Sequence, residues 1–161
     1  MALHDIRAAD THLSLSALMQ PADANFMGVI HGGAILKLID EAAGTCAYRF
    51  ARRRVVTAVI DRTSFRHPVH IGNLVTFKAG VNWAGRTSME IGVRVEAEDL
   101  DSGTITHTNS AYLVYVAVDD RGRPTPIPRL LVETDEEERR WAAAQRRQQA
   151  RLAERQDRPQ S

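Results

Sequence analysis

Between Asn25 and Asp40 the chain carries two features that could act together on a carbonyl carbon. His31-Gly32-Gly33 leads from a loop into a helix. The first amides of a helix have no intrahelical partner, and the aligned peptide dipoles add partial positive charge there. Such donors can polarise a carbonyl oxygen, as an oxyanion hole does. Asp40 follows two turns later, where a half-buried carboxylate could serve as general base or nucleophile. The plainer reading is a glycine-rich helix start and an ordinary boundary aspartate, and spacing by itself does not choose between the two.

The helix that must position these groups is written in the apolar spacing. Ile35, Leu36, Leu38, Ile39, Ala42, Ala43, Cys46, Ala47 and Phe50 recur at three- and four-residue intervals, which predicts a packed helix from about Gly33 to Phe50. At about 100° per residue the apolar face centres between Ile39 and Phe50. Glu41 falls nearly opposite and should be solvated or at a subunit boundary. Asp40 falls at the edge, beside Leu36, Ala43 and Ala47. Small residues at Ala43, Gly44 and Ala47 leave room there for a ligand or a partner helix. Arg52-Arg53-Arg54 closes the helix at the end that favours cations.

Strand signals surround this helix. Thr11 to Met19 partly alternates, and Val55 to Ile60 is a β-branched run broken by Phe65-Arg66-His67-Pro68. Val75, Phe77, Ala79, Val81 and Trp83 alternate, as do Met89, Ile91, Val93, Val95 and Ala97, and Thr104 to Val118 is the last candidate. Turns at Gly85-Arg86 and at Asp99 to Gly103 predict consecutive antiparallel hairpins. The expected class is α+β, a long antiparallel sheet curled around one helix. Residues 1–10 read as a polar lead-in, 11–132 as the domain, and 133–161 as a charged helix ending in disorder. Thr134 and Glu137 have capping-box spacing. Trp141 and Leu152 are the only large apolar residues of that segment, so it reads as mostly solvated, with docking on a neighbouring subunit through Trp141 as the alternative.

Composition narrows the function classes. The chain has 161 residues, 43% hydrophobic and 25% charged, as in a globular protein. A net charge of +1 gives no strong nucleic-acid or membrane signal. One cysteine, Cys46, excludes an intrachain disulfide framework and a multi-cysteine zinc site, and its place on the apolar stripe predicts a buried hydrophobe. The N-terminus lacks a signal-peptide pattern and no apolar run reaches transmembrane length, so the cytoplasm is expected.

Several of these residues, taken in order, resemble a known family. They are Asp23, Asn25, Gly28, His31 to Leu36, Ile39 to Gly44, Thr57-Ala58, Phe65, Gly72, Gly85 to Met89 and Tyr115 to Asp119. The set is similar to the cytosolic acyl-CoA hydrolases of the hotdog fold, bacterial broad-specificity and brain-type, over about residues 11 to 130. The resemblance implies a helix wrapped by an antiparallel sheet and dimers of hotdogs, commonly trimers of dimers. It implies acyl-CoA as substrate, with no metal or redox cofactor. It implies Asp40 as general base or nucleophile, Asn25 to orient water or thioester, and the Gly32 and Gly33 amides as oxyanion donors. Gly85, Arg86, Thr87 and Ser88 match the segment that runs beside CoA, and Arg86 offers a forked donor suited to phosphate. Thr57 and His31 join the substrate-binding set. Arg66 belongs with Arg52, Arg53, Arg54 and Arg62 to a second basic group that could hold nucleotide phosphates. The helix and Val55 to Phe65 are expected to line the acyl tunnel.

Two other classes fit less well. A hotdog hydratase or dehydratase would place a histidine and an acid across one site, whereas the pre-helix residue here is Asn25. An acyl-CoA-sensing regulator or binding module on this fold would need a DNA-binding element to regulate, and no helix-turn-helix segment is visible.

Overall fold

A computed structural model describes residues 3–156. Chain order is β1 (Ile6–Arg7), a 3-10 turn at Ala8–Thr11, β2 (Leu13–Leu18), a 3-10 turn at Pro21–Asp23, α1 (Gly32–Ala51), β3 (Arg54–Ile60), β4 (Ser64–Phe65), β5 (Leu74–Ala84), β6 (Ser88–Glu98), β7 (Ile105–Val118), β8 (Leu130–Leu131) and α2 (Asp135–Gln156). β2, β5, β6, β7 and β3 form one antiparallel sheet in that order, and β4 adds to β7. The inward residues of β5, β6 and β7 bury Ile35, Ile39, Ala42, Ala43, Cys46, Ala47 and Phe50 of α1. This is the expected helix wrapped by a sheet. α1 ends where Arg52 turns left-handed, at φ 51°, and its amide donates to the Tyr48 carbonyl. Among the described residues no helix is long and apolar enough to cross a membrane.

Three expectations are corrected. The N-terminal segment is not a loose polar lead-in, because Ile6–Arg7 pairs in parallel with Leu130–Leu131 and Ala8 is buried. Thr11, also buried, donates to the Ala8 carbonyl and accepts the Val81 amide at 3.0 Å, which ties this segment to β5. The alternation of β5 slips after Val81, so Trp83 pairs with Glu90 and Ala84 takes the core row beside Met89. The C-terminal helix, exposed over most of its surface, is docked along one face on its own sheet. Ala144 is fully buried, and Arg147 and Arg151 reach the buried carboxylate of Glu90. Apolar periodicity is blind to this contact, because alanines and arginine side chains make it. The expected disordered end falls partly on 157–161, outside the described residues.

Candidate active site

Asp40 meets the sheet at one cross-strand row. Thr57 of β3 lies opposite Tyr115 of β7, and Tyr115 lies opposite Met89 of β6. The Tyr115 hydroxyl donates to Asp40 Oδ1 at 2.6 Å and lies 3.0 Å from the Asp40 carbonyl oxygen. The Thr57 hydroxyl donates to the same Oδ1 at 3.1 Å. Among the described residues Oδ2 has no hydrogen-bond partner. Burial first, and then the hydrogen bond to Asp40, hold the Tyr115 phenol well above its ordinary value, so it stays a protonated donor. One carboxylate oxygen is thus fixed by two donors and the other is free for chemistry. The space left by Gly44 is filled by Tyr115, whose hydroxyl would stand 3.6 Å from a Cβ added there.

The start of α1 forms a second cluster. His31 is its N-cap, with an exposed side chain that makes no capping bond; the His31 amide donates to the Asp23 carbonyl at 2.9 Å. Its carbonyl accepts the Ala34 and Ile35 amides. The Gly32 and Gly33 amides donate to no acceptor among the described residues. Phe65 stands against Gly32, where an added Cβ would come within 3.3 Å of the ring, whereas Gly33 faces open space. Asn25 organises the turn before the helix. Its Oδ1 accepts the Met27 amide at 2.9 Å and the Val29 amide at 3.3 Å, and Gly28 at φ 81° completes the turn. The amide nitrogen of its side chain has no partner among the described residues. Phe26 and Met27, at the tip, are 99% and 73% exposed.

The third group is the hairpin between β5 and β6. The Gly85 amide donates to the Ser88 carbonyl at 2.8 Å, and a Cβ at Gly85 would come within 2.7 Å of the Trp83 ring and displace it. The Arg86 and Thr87 carbonyls accept the Ile127 and Ala117 amides, which fixes the turn. Ser88 adjoins Met89, so the turn sits at the Tyr115 end of the sheet. The Arg86 side chain is exposed and unpaired among the described residues. The second basic group is split. Arg52, Arg53 and Arg54 lie beyond the C-terminal end of α1, while Arg66 follows Phe65 at its N-terminal end.

Within one protomer, then, Asp40 joins Thr57, whereas Asn25, His31, Gly32 and Gly33 gather at the helix start. A cleft of about 710 Å³ lies between α2 and the outer sheet face and holds none of the expected site residues.

Residues 27–104 match the thioesterase superfamily. Protein VdlD of Helicobacter pylori is 43% identical over 141 residues, which are 88% of this chain and 80% of that protein. An apo-hexameric acyl-CoA thioesterase superposes with a TM-score of 0.91 at 35% identity, over 97% of this chain and all of the other. The chain belongs to the hotdog-fold acyl-CoA thioesterases. An acyl-CoA hydrolase from Staphylococcus aureus, solved with butyryl coenzyme A and coenzyme A, superposes with a TM-score of 0.86 at 30% identity, over 94% and 92%. Variants of the Staphylococcus aureus enzyme with an asparagine, an aspartate or a threonine changed to alanine have also been solved.

The sequence pattern of this thioesterase does not mark Tyr115 as a neighbour of Asp40. Its inward parity with Ala111 and Leu113 marks it as a core residue, and the only further signal was its place in the family-like run Tyr115 to Asp119.

Proposed function

We propose that this thioesterase hydrolyses acyl-CoA thioesters to a carboxylic acid and free CoA, with Asp40 activating the attacking water. The observation that carries the reading is the asymmetry of Asp40, whose Oδ1 is held by Tyr115 and Thr57 while Oδ2 is free. Oδ2 takes a proton from water as the water oxygen attacks the thioester carbon. The carbonyl oxygen becomes an oxyanion on the Gly32 and Gly33 amides of a partner subunit. Collapse breaks the C–S bond, and the proton on Asp40 passes to the departing thiolate. Asn25 orients the water through its free side-chain amide. The same Oδ2 could instead attack the carbon directly and form a mixed anhydride. An acyl adduct on Asp40 in rapid-quench mass spectra would mark that route.

Spacing supports these assignments. The changed asparagine, aspartate and threonine of the Staphylococcus aureus enzyme are 15 and 17 residues apart, as are Asn25, Asp40 and Thr57. On this reading Arg86 and the rigid turn from Gly85 to Ser88 receive the phosphates and pantetheine of CoA, with His31 and Arg66 alongside. The chemistry needs no metal or redox cofactor, CoA being part of the substrate.

The working unit is a dimer of hotdogs within a hexamer, in the cytoplasm. An apo-hexameric relative, the open edge of β3 with exposed Val56 and Ile60, and the bare Phe26 and Met27 support self-association. Thiol release from a panel of short- to long-chain acyl-CoAs tests the activity. Asp40→Asn should lower kcat by more than about a hundredfold with the fold retained. Near-normal kcat in that variant would remove Asp40 from the mechanism.

A further inference from the structure

β3 is an edge strand, hydrogen-bonded to β7 alone. Its register slips between Thr57 and Val59, which leaves Ala58 as the extra residue of a bulge. A bulge disrupts the ladder and bends the strand. Thr57 nevertheless has to keep its hydroxyl 3.1 Å from Asp40 Oδ1. Support for this strand comes from behind, on the outer face of the sheet.

There α2 is bolted to β6. Glu90 is completely buried, and its carboxylate accepts Nε and Nη2 of Arg147 at 3.1 and 2.7 Å. The Arg147 guanidinium also stacks 3.7 Å from the centre of the Tyr112 ring. A buried carboxylate that loses its partners is strongly unfavourable, so this pair fixes the helix in place. One turn on, Arg151 forks. Its Nη2 reaches Glu90 at 3.4 Å, and its Nη1 donates to Asp61 Oδ2 at 2.8 Å. Asp61 directly follows Ile60, the last residue of β3, and its amide donates to the Tyr112 carbonyl of β7 at 2.8 Å. One guanidinium therefore joins β6 to the end of β3 across β7. Ala58 and Val59 share a small void of about 120 Å³ with Gln148, Arg151 and Leu152, so α2 also lies directly behind the bulge.

We infer that α2 braces the catalytic strand and that Arg151 is a positioning residue for Asp40, acting through β3 and Thr57. This rests on the reading of Asp40 given above. Arg151 touches neither substrate nor the reacting atoms in this arrangement. It keeps Thr57 on Oδ1, and so keeps Oδ2 aimed at the water.

The test is a double-mutant cycle on kcat with acyl-CoA in the full-length protein. Arg151→Ala should lower kcat about tenfold, the effect of loosening the one hydrogen bond from Thr57 to the Asp40 carboxylate, with KM little changed. Thr57→Ala should lower it by a similar factor. The double variant should be no slower than Thr57→Ala, because the two act in one chain of contacts. Arg146→Ala, exposed on the same helix, should leave kcat unaltered. Unchanged kcat in Arg151→Ala, or a loss that multiplies in full with that of Thr57→Ala, overturns the brace. If Arg151→Ala does not fold, Asp61→Asn carries the same comparison, because it leaves the Glu90–Arg147 anchor whole. Retained turnover in Asp40→Asn defeats the catalytic reading. An inactive Asp40→Asn beside a fully active Arg151→Ala defeats the brace alone.

Discussion

The phenolic oxygen of Tyr115 stands 2.6 Å from Oδ1 of Asp40 and 3.0 Å from the carbonyl of the same residue. A single hydroxyl thus registers both the side chain and the backbone of the helical turn that carries the carboxylate. The register Thr57–Tyr115–Met89 places this hydroxyl on the strand next to the sheet edge, close to the β5–β6 turn. Tyr115→Phe keeps the buried ring and removes only the donor. Its kcat should fall about ten- to hundredfold, as expected for a hydrogen bond to a charged group. Wild-type kcat would mean that Thr57 positions the carboxylate unaided.

Arg86→Ala should raise KM several-fold and leave kcat nearly unchanged. Its backbone is fixed by the bond from the Ile127 amide at 3.1 Å, so the substitution removes a charge without releasing the turn. A contact equally strong in ground and transition states changes KM alone. A fall in kcat at constant KM would put Arg86 close to the scissile bond.

Cys46 should be inert in the folded protein. Its thiol donates to the Thr11 carbonyl at 3.3 Å, and burial pushes it from the ordinary 9.0 up to about 12. Thiolate, the reactive form, is then scarce at pH 8. A disulfide reagent at that pH should find no protein thiol until denaturant is added, and then one per chain. The sign for stability follows. The raised value favours the folded state fully below pH 9.0, and that contribution is lost as pH rises towards 12. Rapid labelling of native protein would show that the α1–sheet core opens.

The central helix and the order of strands were legible because both are carried by apolar side chains at regular periods. The wheel likewise put Asp40 at the margin of the buried face. Alternation marks Tyr115 only as inward-facing; which carboxylate its hydroxyl meets depends on the strand register and on where α1 crosses the sheet. Glu90 alternates with Met89 and Ile91, so it reads as solvent-facing, yet it is completely buried under α2. Both sides of that contact are polar, and hydrophobic patterning has no signal for it. Nothing in the alternation betrays the slip after Val81, so the period alone puts Trp83 in the wrong row.

The two halves of the proposed catalytic apparatus lie apart in one protomer. Gly33 and Asp40 are seven residues apart on α1, about 10 Å along its axis. Oxyanion donor and attacking group must both meet one carbonyl carbon, with reacting atoms about 3–3.5 Å apart. One helix therefore cannot easily serve one thioester with both. Two antiparallel α1 helices about a twofold axis can, because each start then lies beside the partner's Asp40. Asn25, whose turn adjoins its own helix start, would face that same partner carboxylate. Complementation tests this arrangement. Asn25→Ala and Asp40→Ala chains, each inactive alone, are refolded together. A mixed dimer collects both defects in one site and leaves the other intact. Random pairing makes about half the dimers mixed, each with one working site, so roughly a quarter of wild-type activity should return. If mass spectrometry confirms mixed dimers and the mixture is as inactive as its components, Asn25 and Asp40 act within one chain, and the oxyanion donors must be sought elsewhere.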